Sequence, residues 1–197
     1  MKVVIIGSGN TATVLGRKIK AAGHAILQVA GRNESAVKLL AAELGCSGNV
    51  DTTGIDHSAD IYIVAIADKA LPQVHEWLQL DKKLVVHTAA AVPANVLEKV
   101  SKNYGVLYPL QTLRKEQTEV PSIPFLVDGN SPDDLALVQD FAASLSDKVI
   151  VAEDELRLRM HVAAVFVSNF TNHLYVLAQE FCRKEELDFS LLLPLIN

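Results

Sequence analysis

The first thirty-three residues, Met1 to Asn33, leave few folds open to this chain. Lys2 to Ile6 is a short, almost wholly apolar run, the pattern of a strand buried on both faces of a parallel sheet. Gly7-Ser8-Gly9-Asn10-Thr11-Ala12 follows at once, and Thr13 to Ala22 then reads as a helix closed by Gly23. A glycine-rich turn between a strand and a helix is the setting in which a dinucleotide fingerprint has meaning. Gly7 permits the tight turn, Gly9 lets the backbone approach a diphosphate, and Ala12 takes the third small position, where helix and strand pack closely. The free N–H groups and the dipole at the helix start would hold the diphosphate. The competing reading is a glycine-rich turn in an unrelated α/β protein.

The end of the next strand, Ala25 to Ala30, bears on which dinucleotide is bound. An NAD site usually carries an acid there, about twenty residues past the glycines, for the ribose 2′-hydroxyl. Here that position is Gly31, and Arg32, Asn33 and Ser35 follow. The planar fork of Arg32 suits a 2′-phosphate, with Asn33 and Ser35 as further donors, so NADPH is expected in preference to NADH. The alternative is a solvated Arg32. Glu34 falls in a first helical turn, where a carboxylate needs no ligand to explain it.

The 197 residues suffice for one well-buried domain and a small second element. Half are apolar and the net charge is −5, so nothing points to nucleic acid or an anionic membrane surface. Cys46 and Cys182 stand far apart in no metal-ligand or redox spacing. No metal is expected, and the cysteines read as buried thiols in a reducing, cytoplasmic setting. A strand starting at Lys2 leaves no room for a signal peptide on this reading.

Further along, Glu34 to Leu44 reads as a helix ended by Gly45, and Cys46 to Thr53 holds a short strand whose register the sequence leaves open. Ile61 to Ile66 is another buried strand. Ala65, Ile66 and Ala67 at its end would let a cofactor lie across it, since open α/β sheets bind ligands outside their strands' carboxyl ends. Asp68 then reads as the N-cap of a helix from Lys69 to Leu80 rather than as a catalytic acid. Lys83 to Val86 is the next strand, with His87 and Thr88 at its carboxyl end. Thr88 is assigned to the cofactor. His87 is either a proton donor facing the crevice or a hydrogen-bonded brace of the turn.

Pro93 begins a helix to about Lys102, and Gly105 to Tyr108 is a strand followed by Pro109-Leu110-Gln111-Thr112. Tyr108 and Gln111 could donate to a substrate carbonyl or imine, or could satisfy backbone groups around Pro109. Arg114-Lys115 reads as a solvated loop that could also attract an acidic substrate. Val120 to Pro124 is a connector and Phe125 to Val127 a strand. Ser131, Pro132, Asp133 and Asp134 open a helix to about Leu145, and Lys148 to Val151 is a last strand, which puts a domain boundary near Ala152.

From Asp154 to Cys182 there is no Gly and no Pro, which predicts one helix of about 29 residues, roughly 43 Å at ~1.5 Å per residue. Met160 to Gln179 carries no Asp, Glu, Lys or Arg and is long enough for a membrane span, but its polar residues argue against lipid. On a helical wheel His161, Ser168, Asn172, Tyr175 and Gln179 share a stripe with Asn169 beside it, and the other faces are almost all apolar. Such a helix is expected to pack against a second copy of itself. For His161, Ser168 and Asn169 a substrate-side wall and interhelical hydrogen bonds are both open.

The order of parts is similar to the superfamily of 6-phosphogluconate dehydrogenase, pyrroline-5-carboxylate reductase and the β-hydroxyacid dehydrogenases. More closely it resembles a bacterial family of unknown function with a Rossmann-like half, loosely grouped with deazaflavin-dependent NADP oxidoreductases. The motifs that carry this are Gly7-Ser8-Gly9-Asn10, Val64 to Asp68, His87-Thr88-Ala89-Ala90, Tyr108 to Thr112 and His161 to Asn169. The resemblance spans essentially the whole chain. It implies an α/β fold with a Rossmann-type doubly wound parallel sheet over residues 1–152. The start of an all-helical dimerisation domain with a long central helix would follow over 153–197.

Two departures matter. Relatives commonly show His-Pro-Leu-Gln where this chain has Tyr108-Pro109, so any role of that His passes to Tyr108 or is lost. The β-hydroxyacid dehydrogenases place a catalytic Lys four residues before a helical Asn; if Asn169 is that Asn, the Lys position is Val165. This argues against β-hydroxyacid chemistry and for the reductase-like members. The resemblance also implies helices past Asn197, as though Leu191 to Asn197 were a helix cut short.

The function expected is an NADP(H)-dependent oxidoreductase moving hydride to or from a small carbonyl or imine compound. His87 is the first candidate donor, with Tyr108, His161, Ser168 and Asn169 as neighbours. A reductase with a deazaflavin partner and a non-catalytic NADP(H) sensor are the alternatives.

Overall fold

A computed structural model describes residues 1–117 and 122–196, so Val120 and Pro121 of the expected connector lie outside the described residues. The chain forms two compact units, Met1–Leu158 and Arg159–Asn197.

The first unit is built on eight strands: β1 (Lys2–Ile6), β2 (Ala25–Ala30), β3 (Ser47–Asn49), β4 (Ile61–Val64), β5 (Asp81–His87), β6 (Ser101–Pro109), β7 (Phe125–Gly129) and β8 (Val149–Val151). Their order across the sheet is β3-β2-β1-β4-β5-β6-β7-β8. Neighbours are parallel except β6 and β7, which are antiparallel. The order reverses at β1, whose neighbours are β2 and β4, and that reversal is where a doubly wound sheet opens a crevice.

Helices α1 (Asn10–Ala21), α2 (Glu34–Leu44) and α3 (Pro132–Leu145) cover one face, burying Leu15, Ile19, Val37, Leu40, Val138 and Phe141 against Val3, Ile5, Ile63, Val86, Leu107 and Phe125. Alternate strand residues Val4, Ile6, Tyr62, Val64 and Val85 form a second core on the other face with Leu71, Val74, Leu78 and Leu97. Strands β1 and β4 are buried on both sides, which is why they read as unbroken apolar runs. Local chemistry sets the helix ends. Asn33 caps α2 by accepting from the Ala36 N–H, and Gly45 ends it in the left-handed region. Ser131 caps α3 with Pro132 in its first turn.

The second face departs from expectation. The helix expected from Lys69 to Leu80 is a 3₁₀ run, Asp68–Glu76, with Pro72 inside it. Proline has no N–H to donate and its ring opposes the α-helical turn before it. Asp68 is the first residue of that run, and the capping position belongs to Ala67 with no side-chain bond, so Asp68 is not an N-cap. The helix expected from Pro93 to Lys102 shrinks to the 3₁₀ turn Ala94–Leu97. The chain re-enters the sheet at Ser101, whose hydroxyl donates to the carbonyls of Asp81 and Lys83 at 2.9 and 2.6 Å.

One helical stretch of 31 residues follows: α4 (Asp154–Val165), a π-helical turn Phe166–Phe170 and α5 (Thr171–Lys184). Described by itself, the second unit leaves much of its apolar surface open, with Val167 76% and Leu174 63% exposed. A 3₁₀ turn, Phe189–Leu195, capped by Asp188 and containing Pro194, stands where a further helix was expected. No helix among the described residues is long and apolar enough to cross a membrane.

Candidate functional site

At the end of β1 the backbone turns at Gly7 with φ +130°, and the Gly7 N–H donates to the Ala30 carbonyl at 2.7 Å. A side chain at Gly7 would overlap the Ala65 carbonyl oxygen, so only glycine lets the ends of β1 and β4 meet. Gly9 is different. It is the extended residue before α1, and a Cβ built on it meets nothing within 4 Å. The open space is a cavity of about 530 Å³, within the usual range of ligand sites. Gly7, Ser8 and Gly9 form one wall, Gly31, Arg32 and Asn33 the second, and Ala65, Ile66 and Ala67 the third.

Seven further residues complete the lining that the sequence reading did not name: Val50, Asp51 and Ile55 after β3, and Ala70, Gln73, Glu76 and Trp77 along the 3₁₀ run. No motif marks them, because strand order and the 3₁₀ path bring them in. Asp51 accepts from the N–H and hydroxyl of Thr53 at 2.9 and 2.8 Å, which holds its carboxyl below the usual range. Asn33 accepts from both Ala36 N–H and the Ser35 hydroxyl, so that hydroxyl is directed at Asn33 and Ser35 is not among the lining residues. Asn10, Thr11 and Ala12 open α1 without lining the cavity, and Ala12 is fully buried in the core.

Beside the cavity, sheet register sets a second group in a row. Ile6 pairs with Val64, Val64 with His87, His87 with Val106, and Val106 with Asp128. Tyr108 lies two residues past Val106 and therefore shares its face. His87 is fully buried and does not line the cavity. Its Nδ1 accepts from the Ala89 N–H at 3.2 Å, which assigns the ring proton to Nε2. Burial first, and the Arg157 cation second, lower its pKa to about 4, so the ring is neutral at pH 7. The Pro93 carbonyl pulls the other way without forming a well-made hydrogen bond. Burial and then Asp68 push the half-buried Tyr108 phenol above its ordinary range, against Arg157. Burial likewise raises Asp128, which accepts from the Gly129 N–H at 2.8 Å.

Arg157, on α4, is the residue the sequence reading missed entirely. It is fully buried, its Nε donates to the Ala90 carbonyl at 3.1 Å, and its Nη2 donates to the Val92 carbonyl at 2.8 Å and to Asp154 at 2.6 Å. Nothing in the sequence separates it from the neighbouring charges of a solvated helical turn. Gln111 turns to its own surroundings, donating to the Ser122 carbonyl and accepting from the Thr112 N–H. Thr88 starts the loop after β5 and does not line the cavity. His161, Ser168 and Asn169 belong to the second unit, Ser168 and Asn169 within its π-helical turn. Such turns recur at functional sites. Among the described residues no three His, Cys, Asp or Glu side chains are grouped to hold a metal.

Residues 2–91 match the family described as NADP oxidoreductase coenzyme F420-dependent, and residues 123–197 match a domain of unknown function, DUF2520. No curated protein matches significantly. Among solved structures, an Aspergillus terreus reductive aminase, crystallised with NADPH and ethyl-5-oxohexanoate, is similar in fold at 16% identity and TM-score 0.75 over 98% of this chain and 70% of its own. A Thermotoga maritima protein is similar at 22% identity and TM-score 0.78, over 97% of this chain and 74% of its own. A Bacteroides fragilis protein, provisionally named an NADP oxidoreductase, is similar at 37% identity and TM-score 0.91, over 99% of this chain and 77% of its own. The chain belongs to the family of that Bacteroides fragilis protein, in which an NADP oxidoreductase-like Rossmann domain runs into DUF2520.

Proposed function

We propose that this chain is an NADPH-preferring oxidoreductase that moves hydride to or from a small carbonyl or imine compound. The observation that carries the reading is the cavity over Gly9, where a missing Cβ leaves open space at the start of α1, the end of a helix whose first N–H groups have no intrahelical partner. A diphosphate fits that cradle by charge and by shape. Arg32, on the adjoining wall, supplies the fork for a 2′-phosphate, and the small residues Ala65 and Ala67 leave room for the nicotinamide half. When bound, the cofactor supplies the hydride.

Tyr108 is the favoured donor to the substrate oxygen or nitrogen. Its phenol stays protonated at neutral pH, and it is only half buried, whereas His87 is sealed and neutral. The open apolar faces of the second unit support self-association of two copies through the long helix. A second reading, with a reduced deazaflavin as hydride partner, is favoured by the description of the family matched over residues 2–91.

The test is a thermal-shift titration with NADPH and NADH in parallel, followed by NADPH oxidation with a carbonyl and imine panel and with an oxidised deazaflavin. A shift with NADPH and little with NADH, then turnover of a panel member, supports the reading. Turnover with the deazaflavin alone favours the second. Binding without any turnover leaves a sensor, and no shift with either dinucleotide sinks the assignment.

A further inference from the structure

The loop after β5, residues 88–93, begins level with the cavity. His87 pairs with Val64 at the end of the ladder, so the loop leaves β5 beside the point where β4 runs into the cavity wall at Ala65. A dinucleotide with its diphosphate at Gly7–Gly9 and its length across the strand ends would extend its nicotinamide half toward this loop.

Two side chains from the start of α4 hold the loop. Arg157 grips the Ala90 and Val92 carbonyls at 3.1 and 2.8 Å. Asp154 binds Arg157 and also accepts the Ala94 N–H at 3.1 Å. An apolar residue of similar volume often serves a buried position as well as a paired arginine does, so stability alone does not account for Arg157. The hydrogen-bond balance points the same way. The buried side-chain polar atoms left without a partner among the described residues are Arg157 Nη1 and His87 Nε2, and both belong to side chains that frame this loop. Buried polar groups are nearly always paired, so two such atoms around one loop call for an explanation.

We propose that Arg157 is a positioning residue for the nicotinamide half of the bound dinucleotide, acting through the Ala90 and Val92 carbonyls. This rests on the dinucleotide reading above. Arg157 touches neither cofactor nor substrate; it fixes the loop that does. Asp154, whose side chain is half exposed, orients the guanidinium and closes the far end of the clasp.

The experiment uses the full chain and three variants, Arg157→Met, Arg157→Lys and Asp154→Ala. Two ligands are titrated against each: NADPH, and adenosine 2′,5′-bisphosphate, which lacks the nicotinamide. Amide hydrogen exchange of residues 88–94 is followed without ligand. The expected result is faster exchange in that loop and about tenfold weaker NADPH binding, ~1.4 kcal/mol, with the bisphosphate affinity unchanged. Arg157→Lys, which keeps the charge but cannot span both carbonyls, should recover only part of the loss.

Equal weakening of both ligands would mean that Arg157 is merely structural, and would overturn the proposal. So would a loop that exchanges as slowly in Asp154→Ala and Arg157→Met as in the wild type. Should Arg157→Met not fold, Asp154→Ala decides both points. A wild-type chain that binds neither ligand would sink the dinucleotide reading, and with it the positioning role. The exchange data would then still show whether the clasp exists.

Discussion

Gly7 and Gly9 stand two residues apart in one turn, yet alanine should affect them in opposite ways. At Gly7, φ is +130° and a Cβ would overlap the Ala65 carbonyl oxygen, with the carbonyl carbon at 2.8 Å. The backbone strain costs about 1–3 kcal/mol, and relieving the overlap means separating β1 from β4, for a total of roughly 4 kcal/mol. At ~2–4 °C per kcal/mol for a chain of this size, Gly7→Ala should melt about 8–16 °C lower. At Gly9 the backbone is already extended and the Cβ meets nothing within 4 Å. Alanine there costs only the preference of an N-cap position for glycine over alanine, about 1 kcal/mol or less.

Its effect should fall on the ligand, because the added methyl group fills the space a diphosphate would take. Wild type at a hundredfold excess of NADPH over Kd gains ~2.7 kcal/mol, a rise of roughly 5–11 °C. Gly9→Ala should lose most of that rise while its ligand-free melting point stays within a few degrees of wild type. The assay is differential scanning fluorimetry with and without NADPH, checked by urea unfolding. A full NADPH shift in Gly9→Ala, or a Gly7→Ala protein as stable as wild type, would refute the reasoning.

Three other outcomes are expected. Arg32→Ala should weaken NADPH binding by about tenfold or more and leave NADH nearly unchanged, measured by cofactor fluorescence; equal losses would remove Arg32 from the 2′-phosphate. His87 contributes a pH dependence. Its folded pKa is about 4 and its unfolded value near ~6.5, so the unfolded chain binds a proton first as the pH falls. Its share of stability, on the order of 3 kcal/mol, is present above pH ~6.5 and is lost between there and about 4. His87→Gln should flatten this part of the unfolding profile, and an unchanged profile would count against a buried neutral ring. Leu174→Glu, at a position 63% exposed in the single chain, should turn a self-associated species into a monomer by light scattering without lowering its helix content. Persistence of the oligomer would rule out that face.

What the sequence disclosed was chemistry that acts over a few residues. The apolar run Lys2–Ile6, the β2 strand Ala25–Ala30, the α2 boundaries Glu34–Leu44 and the Ser131-Pro132 opening of α3 all carry their causes in adjacent side chains. Pro72 is an equally local signal, and it stands inside the stretch expected to be a helix from Lys69 to Leu80. Other features depend on distant partners. The strand β6 starts at Ser101 because one hydroxyl closes onto two carbonyls of β5. Arg157 is buried because carbonyls some 65 residues earlier await it. Asp51, Gln73 and Trp77 enter the cavity only through strand order. The glycines announced that a site exists, and the fold had to supply its walls.

Sheet order also has a consequence for the chain as it leaves the ribosome. β1 is made before both its neighbours, β2 and β4, with Val3 paired to Ile26 on one side and Ile61 on the other. At ~5–20 residues per second, Ile61 emerges roughly 3–12 s after Val3. During that interval Val-Val-Ile-Ile has one neighbour at most, and non-local parallel pairing is slow to form. The segment that later anchors the Gly7–Gly9 turn is therefore an apolar strand short of a neighbour, and a nascent chain stalled before β4 presents it to any chaperone or to another copy.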